Sequence, residues 1–198
     1  MKDQIAQRFE RNIKRVRHLV GSYSQIAGTG RGRRPVNTSD LLRAATVFLH
    51  ATLEDFLRSI EMWKLPGASE ERLSQVALAE TKGRAEKFAL GKLAAHRGKT
   101  VDALITESVT EHLERSNYND TTDISAVLQL ADVVVAEVNG QFSQLDVLMK
   151  RRHHIVHRAD ENETSGQGQF QTRSISTVAV NRWIEAVEQF ASGVLARL

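Results

Sequence analysis

Apolar residues recur at intervals of three and four positions near both ends of the chain. This spacing predicts a first helix over residues 2–26 and a last helix that starts near Thr177. Three glycines and one proline over 28–35 predict a loop after the first helix. The two stripes are Ile5, Phe9, Ile13, Val16, Val20, Tyr23 and Ile26 in the first helix, and Val180, Ile184, Val187, Phe190, Ala191, Val194 and Leu198, with Trp183 beside them, in the last.

The stretch over 41–63 is apolar on nearly every face, which predicts a central, buried second helix. The residue types at 37–40 are typical of helix N-caps, so we expect the helix to start after them. A Pro-Gly pair at 66–67 predicts its end. Because a buried carboxylate needs a partner, we expect Glu54 to have one. The polar side chains that interrupt this helix are Arg43, His50 and Glu54.

The remaining pattern predicts an all-α fold in a single domain over 1–198. A further long helix is expected over 143–158, followed by a polar loop over 161–173. Four long helices form a helical bundle, with 69–138 as an inserted segment of shorter helices. Within that segment we expect helices over 83–96, 101–115 and 123–130, and a connector at 133–135.

The composition predicts a soluble protein of the cytoplasm. The chain has 198 residues, 41% of them hydrophobic and 26% charged, as in ordinary globular proteins. It has no cysteine, which excludes disulfides, thiolate metal ligands and thiol nucleophiles. No apolar run approaches the roughly 20 residues of a membrane-spanning helix, and the charged start lacks a secretory signal. No membrane partner is expected.

Positive charge is concentrated in the first 34 residues. They hold nine Lys and Arg against two acids, a balance of +7, whereas the whole chain carries +3. Such a distribution favours a surface that faces a polyanion; the alternative is a solvated helix face with a mobile loop. The Gly-x-Gly pattern in the loop follows no strand and predicts no nucleotide site. The loop arginines able to contact a phosphate backbone are Arg31, Arg33 and Arg34.

The string RRHHIVH at 151–157 contains the candidate chemistry. Arg152 and His157 lie five positions apart, about 140° around a straight helix, so a second copy of the chain makes their convergence easier. An imidazole exchanges a proton near neutral pH, and a guanidinium matches phosphate oxygens. One imidazole to deprotonate a ribose 2′-OH and one guanidinium to stabilise the charge at phosphorus suffice for RNA transesterification without a cofactor.

A metal site is the rival interpretation of this string. His153 and His157 are four positions apart on one helix face, which is a spacing of metal ligands. The protease motif would require a Glu between them, and none is present. Positive charge from Arg151, Arg152 and Arg158 opposes a divalent cation. We therefore predict no metal.

The string in its helical context resembles the HEPN superfamily. The hallmark of that superfamily is an Arg, then four to six residues, then a His, with Asn, His or Asp usually following the Arg. Arg152, His153 and His157 occupy those positions. The stretch over 41–57 is similar to the second-helix pattern of the RiboL-PSP-type HEPN branch, and segments 99–102 and 117–119 resemble its middle section, so the resemblance covers most of the chain.

This resemblance implies a homodimer in which two motifs face each other and form one composite ribonuclease site, often in toxin–antitoxin or antiviral systems. By the same resemblance His157 is the general acid/base, Arg152 binds the scissile phosphate and His153 supports or orients. We also expect a salt bridge from Glu54 to hold Arg152. Toxins of this superfamily that are silenced by adenylylation carry a Tyr two residues after the motif His. Ala159 stands there, so this control is not expected.

Three hypotheses for function remain at this point. We favour a metal-independent endoribonuclease whose substrate is RNA. Its expected partners are a second copy of the chain and a cognate antitoxin. The second is a non-catalytic module of the same fold that binds RNA, a nucleotide or a protein, and the third is a structural interaction protein. In the plainest interpretation the histidines cap a helix and pair with surface acids, Asp160 or Glu161. For the ribonuclease, the supporting residues are Glu54, His154 and Asp160, and the RNA contacts are Arg151, Arg158, Arg31, Arg33 and Arg34.

Overall fold

Four long helices and several shorter ones make up the computed structural model, which describes residues 1–27, 36–79, 90–162 and 171–198. No strand occurs in these residues, so the predicted all-α class is confirmed. The α-helices are α1 (Lys2–Ala27), α2 (Val36–Lys64), α3 (Glu70–Leu73), α4 (Val101–Arg115), α5 (Thr121–Leu130), α6 (Phe142–Arg158) and α7 (Thr177–Leu195). Single 3-10 turns or short 3-10 helices occur at Leu65–Gly67, Leu90–His96, Val135–Glu137 and Asn139–Gln141.

Helix α2 lies at the centre of the bundle, as its apolar sequence predicted. It packs against α1, α6 and α7, and on its remaining side against α4 and α5. The ring of Phe56 meets that of Phe9 on α1, with centroids 5.2 Å apart. Burial of this apolar surface is the main source of stability for such a bundle. The fully buried apolar side chains of α2 include Leu42, Ala45, Leu49, Leu53, Leu57 and Ile60.

The outer helices turn most of their apolar positions toward α2, and the exposed ones lie near helix ends. All stripe residues of α1 are buried except Ile26 in its last turn, which is 67% exposed, and Val156 near the end of α6 is 47% exposed. Leu198, the last position of the final stripe, is half-buried. On α7, Trp183 and the stripe from Val180 to Val194 are buried. The stripe of α6 is buried at Leu145, Leu148 and Met149, and its continuation toward the C-terminus is the string RRHHIVH.

Helix ends follow the capping residues where a cap forms. Helix α4 has the predicted bounds, because the Thr100 side chain accepts a hydrogen bond from the Ala103 amide at 3.1 Å. Helix α5 begins two residues before its predicted start, because Asp120 caps it. Helix α2 was expected to start at 41 but begins at Val36, so the polar residues at 37–40 lie within its first turns.

The middle of the chain contains less α-helix than predicted. Of the helix expected over 83–96, the structure shows a 3-10 helix at Leu90–His96, and residues 80–89 lie outside the described part of the chain. The connector at 133–135 leads into two 3-10 turns before α6. A small second apolar cluster joins α4 to the end of α2, around Leu65, Val109 and Leu113. Helix α4 therefore packs at the end of α2 through this second cluster, whereas α5 contributes Ile124, Val127 and Leu128 to the main core.

Acids on neighbouring helices balance part of the positive charge of α1. Arg8 pairs with Asp55 of α2 at 2.6 Å, and Arg17 pairs with Glu188 of α7 at 2.7 Å. Such surface pairs contribute little stability, but they reduce the charge available to a polyanion. The loop arginines predicted to contact RNA (Arg31, Arg33 and Arg34) lie outside the described residues.

Within the described ranges, no helix combines the length and the apolar character that crossing a membrane requires.

Candidate functional site at the end of helix α6

Helix α6 stops abruptly after the candidate motif. Ala159 and Asp160 both adopt left-handed backbone angles, with φ of 47° and 59°. This conformation is unfavourable for residues with a Cβ, and an aspartate tolerates it better than most. The Asp160 amide donates to the carbonyl of His154 at 3.2 Å, which closes the helix end. The reversal turns the Asp160 side chain back toward the bundle.

Asp160 is the buried anion of an arginine clasp between α2 and α6. Its side chain is 0% exposed, and its Oδ2 accepts hydrogen bonds from Arg43 Nε and Arg151 Nη2, both at 2.7 Å. The same arginines donate to the carbonyl of Arg173 at 2.8 and 3.2 Å. The Arg173 amide in turn donates to the Asp160 carbonyl at 2.8 Å. The clasp therefore holds α2, the end of α6 and the segment before α7 together.

The clasp gives the two adjacent arginines of the motif different roles. Arg151 is held by Asp160, and burial is the main cause that lowers its pKa, with Asp160 acting in the opposite direction. Arg152 forms no hydrogen bond or ion pair among the described residues, and its Nε is buried without a partner. Arg152 is thus the guanidinium that remains available to an anion. The expected RNA contact of Arg151 stays a prediction, but most of its donors face the protein.

The motif histidines His153 and His157 form an exposed pair on α6. Their ring centroids are 4.5 Å apart, as expected for side chains one turn apart on one helix face. Both side chains are exposed to solvent. Asp160, one of the acids offered as a surface partner for these histidines, is buried and pairs with arginines instead. That part of the capping interpretation is wrong.

Arg152 and His157 do not meet within one chain. Helix α6 stays regular through Arg158, so their side chains leave it about 140° apart. Arg152 continues the buried stripe of α6 and lies beside His50 of α2, whose pKa its charge helps to lower. Among the described contacts none joins Arg152 to His157. Convergence on one ligand requires either a second chain or movement of the arginine.

The expected salt bridge between Glu54 and Arg152 is absent from the described contacts. Glu54 lies instead 3.6 Å from Nδ1 of His50, which is one turn earlier on α2. The carboxylate is brought near the histidine by the helix spacing itself, whereas Arg152 comes from a separate helix and approaches His50. The charges of both groups act on His50: Glu54 raises its pKa and Arg152 lowers it. Glu54 remains within the same polar region as Arg152.

His50 belongs to a buried polar network that the motif did not predict. Its ring is 1% exposed, and Nε2 donates to the carbonyl of Tyr118 at 3.2 Å. The Tyr118 hydroxyl donates to Glu61, and burial is the first cause that raises the pKa of both groups. Arg58 completes the network by donating to the carbonyls of Leu113 and Ser116. The spacing of Arg43, His50 and Glu54, at seven and four residues, was the available sequence signal for a polar face on α2.

Burial of His50 predicts a loss of stability in mild acid. Desolvation lowers its pKa below the ordinary value of about 6.5. As pH falls below that value the unfolded chain binds the proton first, so the free energy of unfolding decreases. In His50→Gln, which keeps a donor for Tyr118, we expect a shallower decrease between about pH 7.5 and 5. Urea denaturation at several pH values measures it.

A variant of His112 is the control for this measurement, because burial lowers the pKa of His112 as well. His112→Gln should remove its own contribution and leave that of His50. The same slope in His50→Gln and wild type would contradict the assignment to His50.

The other predicted residues lie around the end of α6. His154 is half-buried, and its Nδ1 is buried without a hydrogen-bond partner. Arg158 is the last residue of α6 and is exposed. Among the residues that the structure describes, no three or more His, Asp, Glu or Cys side chains are grouped so that they could hold a metal ion.

Comparison with known proteins finds no significant match to a family model, to a curated protein or to a solved structure.

Proposed function

We propose that the protein is a HEPN-type endoribonuclease that cleaves RNA without a metal ion. The observation that carries the proposal is an arginine that has no ion-pair partner in the described part of the chain and lies on the same helix as an exposed pair of imidazoles. Asp160 neutralises Arg151 and Arg43, whereas Arg152 has no partner among the described residues. The resemblance of the motif to the HEPN superfamily supports the same assignment.

The reaction we propose is transesterification at phosphorus. His157 takes the proton of a ribose 2′-OH, and the 2′-oxygen attacks the adjacent phosphate. Arg152 stabilises the charge that develops on the phosphate oxygens. The bond to the 5′-oxygen breaks, and this oxygen receives a proton from a second imidazole in its protonated form. His153, whose ring lies 4.5 Å from that of His157, is suited to supply it.

A second copy of the chain completes the site in this proposal. Arg152 and His157 are about 140° apart around α6, so within one chain the phosphate-binding group lies away from the group that transfers the proton. In a homodimer with facing motifs, Arg152 of one chain lies opposite His157 of the other. We further propose that the enzyme acts as the toxin of a toxin–antitoxin or antiviral system and has a cognate antitoxin as partner.

Cleavage in the presence of EDTA tests the proposal. The purified protein should cut single-stranded RNA in EDTA and leave 2′,3′-cyclic phosphate and 5′-OH ends. The DNA of the same sequence should stay intact, because it lacks the 2′-OH nucleophile. Gel electrophoresis with end-group analysis reads both results. If EDTA stops cleavage and added Zn²⁺ restores it, the metal interpretation of His153 and His157 replaces this one.

A non-catalytic RNA-binding module is the second candidate. Arg152 is half-buried and separated from His157, and both features favour this candidate. If the arginine never meets the imidazole, the site binds a phosphate but transfers no proton. It predicts RNA binding that weakens with salt, and no cleavage product at any enzyme concentration.

A further inference from the structure

A cleft of about 450 Å³ lies between α6 and the start of α7, next to the candidate catalytic face. His154 lines this cleft, and it is three residues before His157, so the two side chains lie on adjoining parts of the helix surface. The volume is within the usual range for sites that take small ligands. On the helix surface His157 is about 60° from His154, so the cleft opens on the side of α6 next to His157.

The floor of the cleft is apolar. Trp183, Ile175, Ala179 and Val147 contribute to it, and Trp183 is 7% exposed. Flat apolar surfaces with an aromatic edge suit a nucleobase, which has an apolar face and a polar rim.

Three cationic residues lie on the rim of the cleft, of which Lys150 pairs with Asp146 at 2.6 Å and Arg151 with Asp160 at 2.7 Å. Lys150, Arg151 and Arg173 line it, and the described lining contains no carboxylate. Asp160 behind the wall is shared by Arg43 and Arg151, so two guanidinium groups meet one of its oxygens. The Arg173 side chain has no ion pair among the described residues, although its backbone belongs to the clasp.

The start of α7 adds to this charge distribution. Ser176 caps the 19-residue helix by accepting from the Ala179 amide at 3.2 Å, and it lines the cleft. The positive end of the helix therefore faces the same space as Arg173.

We infer that this cleft is a nucleotide-binding subsite: it takes one nucleotide unit, with the base on the floor at Trp183 and the phosphate at Arg173 and Lys150. The inference deepens the proposed function, on which it rests for naming RNA as the source of the nucleotide. A free mononucleotide has the same chemistry, so the experiment separates the two sources.

Trp183 fluorescence provides a direct test. The chain has two tryptophans, so Trp63→Phe leaves Trp183 as the reporter. Titration with a 2′-O-methyl RNA oligonucleotide, which lacks the nucleophile and cannot be cleaved, should change the emission of Trp183. Arg173→Ala and Ala179→Phe, made in this background, should each raise the Kd roughly tenfold or more, because one removes a charged donor and the other fills the floor.

Arg182→Ala is the matched control, because Arg182 is exposed on α7 and does not line the cleft. It should keep the Kd of the background. A parallel titration with AMP identifies the source: equal affinity for AMP points to a free nucleotide, and much weaker binding of AMP points to RNA. Whichever source is found, the inference holds only if the cleft variants weaken binding.

Unchanged Kd values in both cleft variants, or no change in Trp183 emission on RNA binding, overturn the inference. The outcome is separable from that of the proposed function. If RNA is cleaved but the cleft variants leave the Kd unchanged, only the subsite inference is refuted. If the cleft variants weaken binding but no RNA is cleaved, only the ribonuclease proposal is refuted. Thermal denaturation confirms that each variant is folded.

Discussion

Asp160→Ala is expected to lower the free energy of unfolding by about 3–5 kcal/mol, the usual cost of removing one partner of a buried ion pair. The substitution removes the anion that Arg43 and Arg151 share, and their side chains are only 8% and 15% exposed. Arg43 keeps its ion pair with Asp40, whereas Arg151 is left without an anion among the described residues. It also removes the side-chain link between α2 and the end of α6. Urea denaturation at neutral pH, followed by circular dichroism, measures the change.

Asp146→Ala is the matched control for this loss. Asp146 pairs with Lys150 one turn away on the surface of α6, at 2.6 Å and with 39% of its side chain exposed. Its removal should cost about 0.5 kcal/mol or less. Similar losses in the two variants would mean that the clasp does not stabilise the bundle.

His157→Ala is expected to reduce the rate of RNA cleavage in EDTA by roughly 10²–10⁴-fold, the contribution of a general acid or base. The side chain is exposed and its described contact is with the His153 ring, so the fold should survive its removal. Single-turnover cleavage of a labelled RNA gives the rate, and thermal denaturation checks the fold.

His18→Ala and Arg151→Ala are the control variants for this result. His18 is exposed on α1 and far from α6 in the sequence, so its removal should leave cleavage unchanged. Arg151→Ala should reduce stability, because it breaks the clasp, whereas Arg152→Ala should reduce cleavage. Mixing inactive Arg152→Ala with inactive His157→Ala should restore part of the activity if the site is formed by two chains. Full activity of His157→Ala would end the ribonuclease proposal.

The helical pattern was sufficient to predict the bundle, because its information is local. The four long helices and the buried centre of α2 follow from the spacing of apolar residues, and α4 has its predicted bounds because Thr100 caps it. Errors arose near helix ends, where Ile26 of α1 is exposed and where α2 begins at Val36 and includes the polar residues that were expected to precede it.

The roles of the polar residues depended on contacts that no local pattern contains. In the sequence Arg151 and Arg152 are neighbours of the same type. They differ because Asp160 turns back toward one of them and meets Arg43, which lies 117 positions earlier. The expected pair of Glu54 and Arg152 is absent among the described contacts, where Glu54 lies 3.6 Å from His50, one turn earlier on its own helix.

The arginine clasp also bears on the order in which the molecule folds. Closing it requires α2 and the residues after α6 to meet across 117 positions of the chain. Contacts with such long separations carry a large entropic cost of loop closure and tend to form after local helices. The pair of Arg151 and Asp160 spans only nine positions and forms with the end of α6 itself. Arg151 and Arg152 therefore become different before α2 and α6 meet, and the later arrival of Arg43 fixes the end of α6 against the bundle.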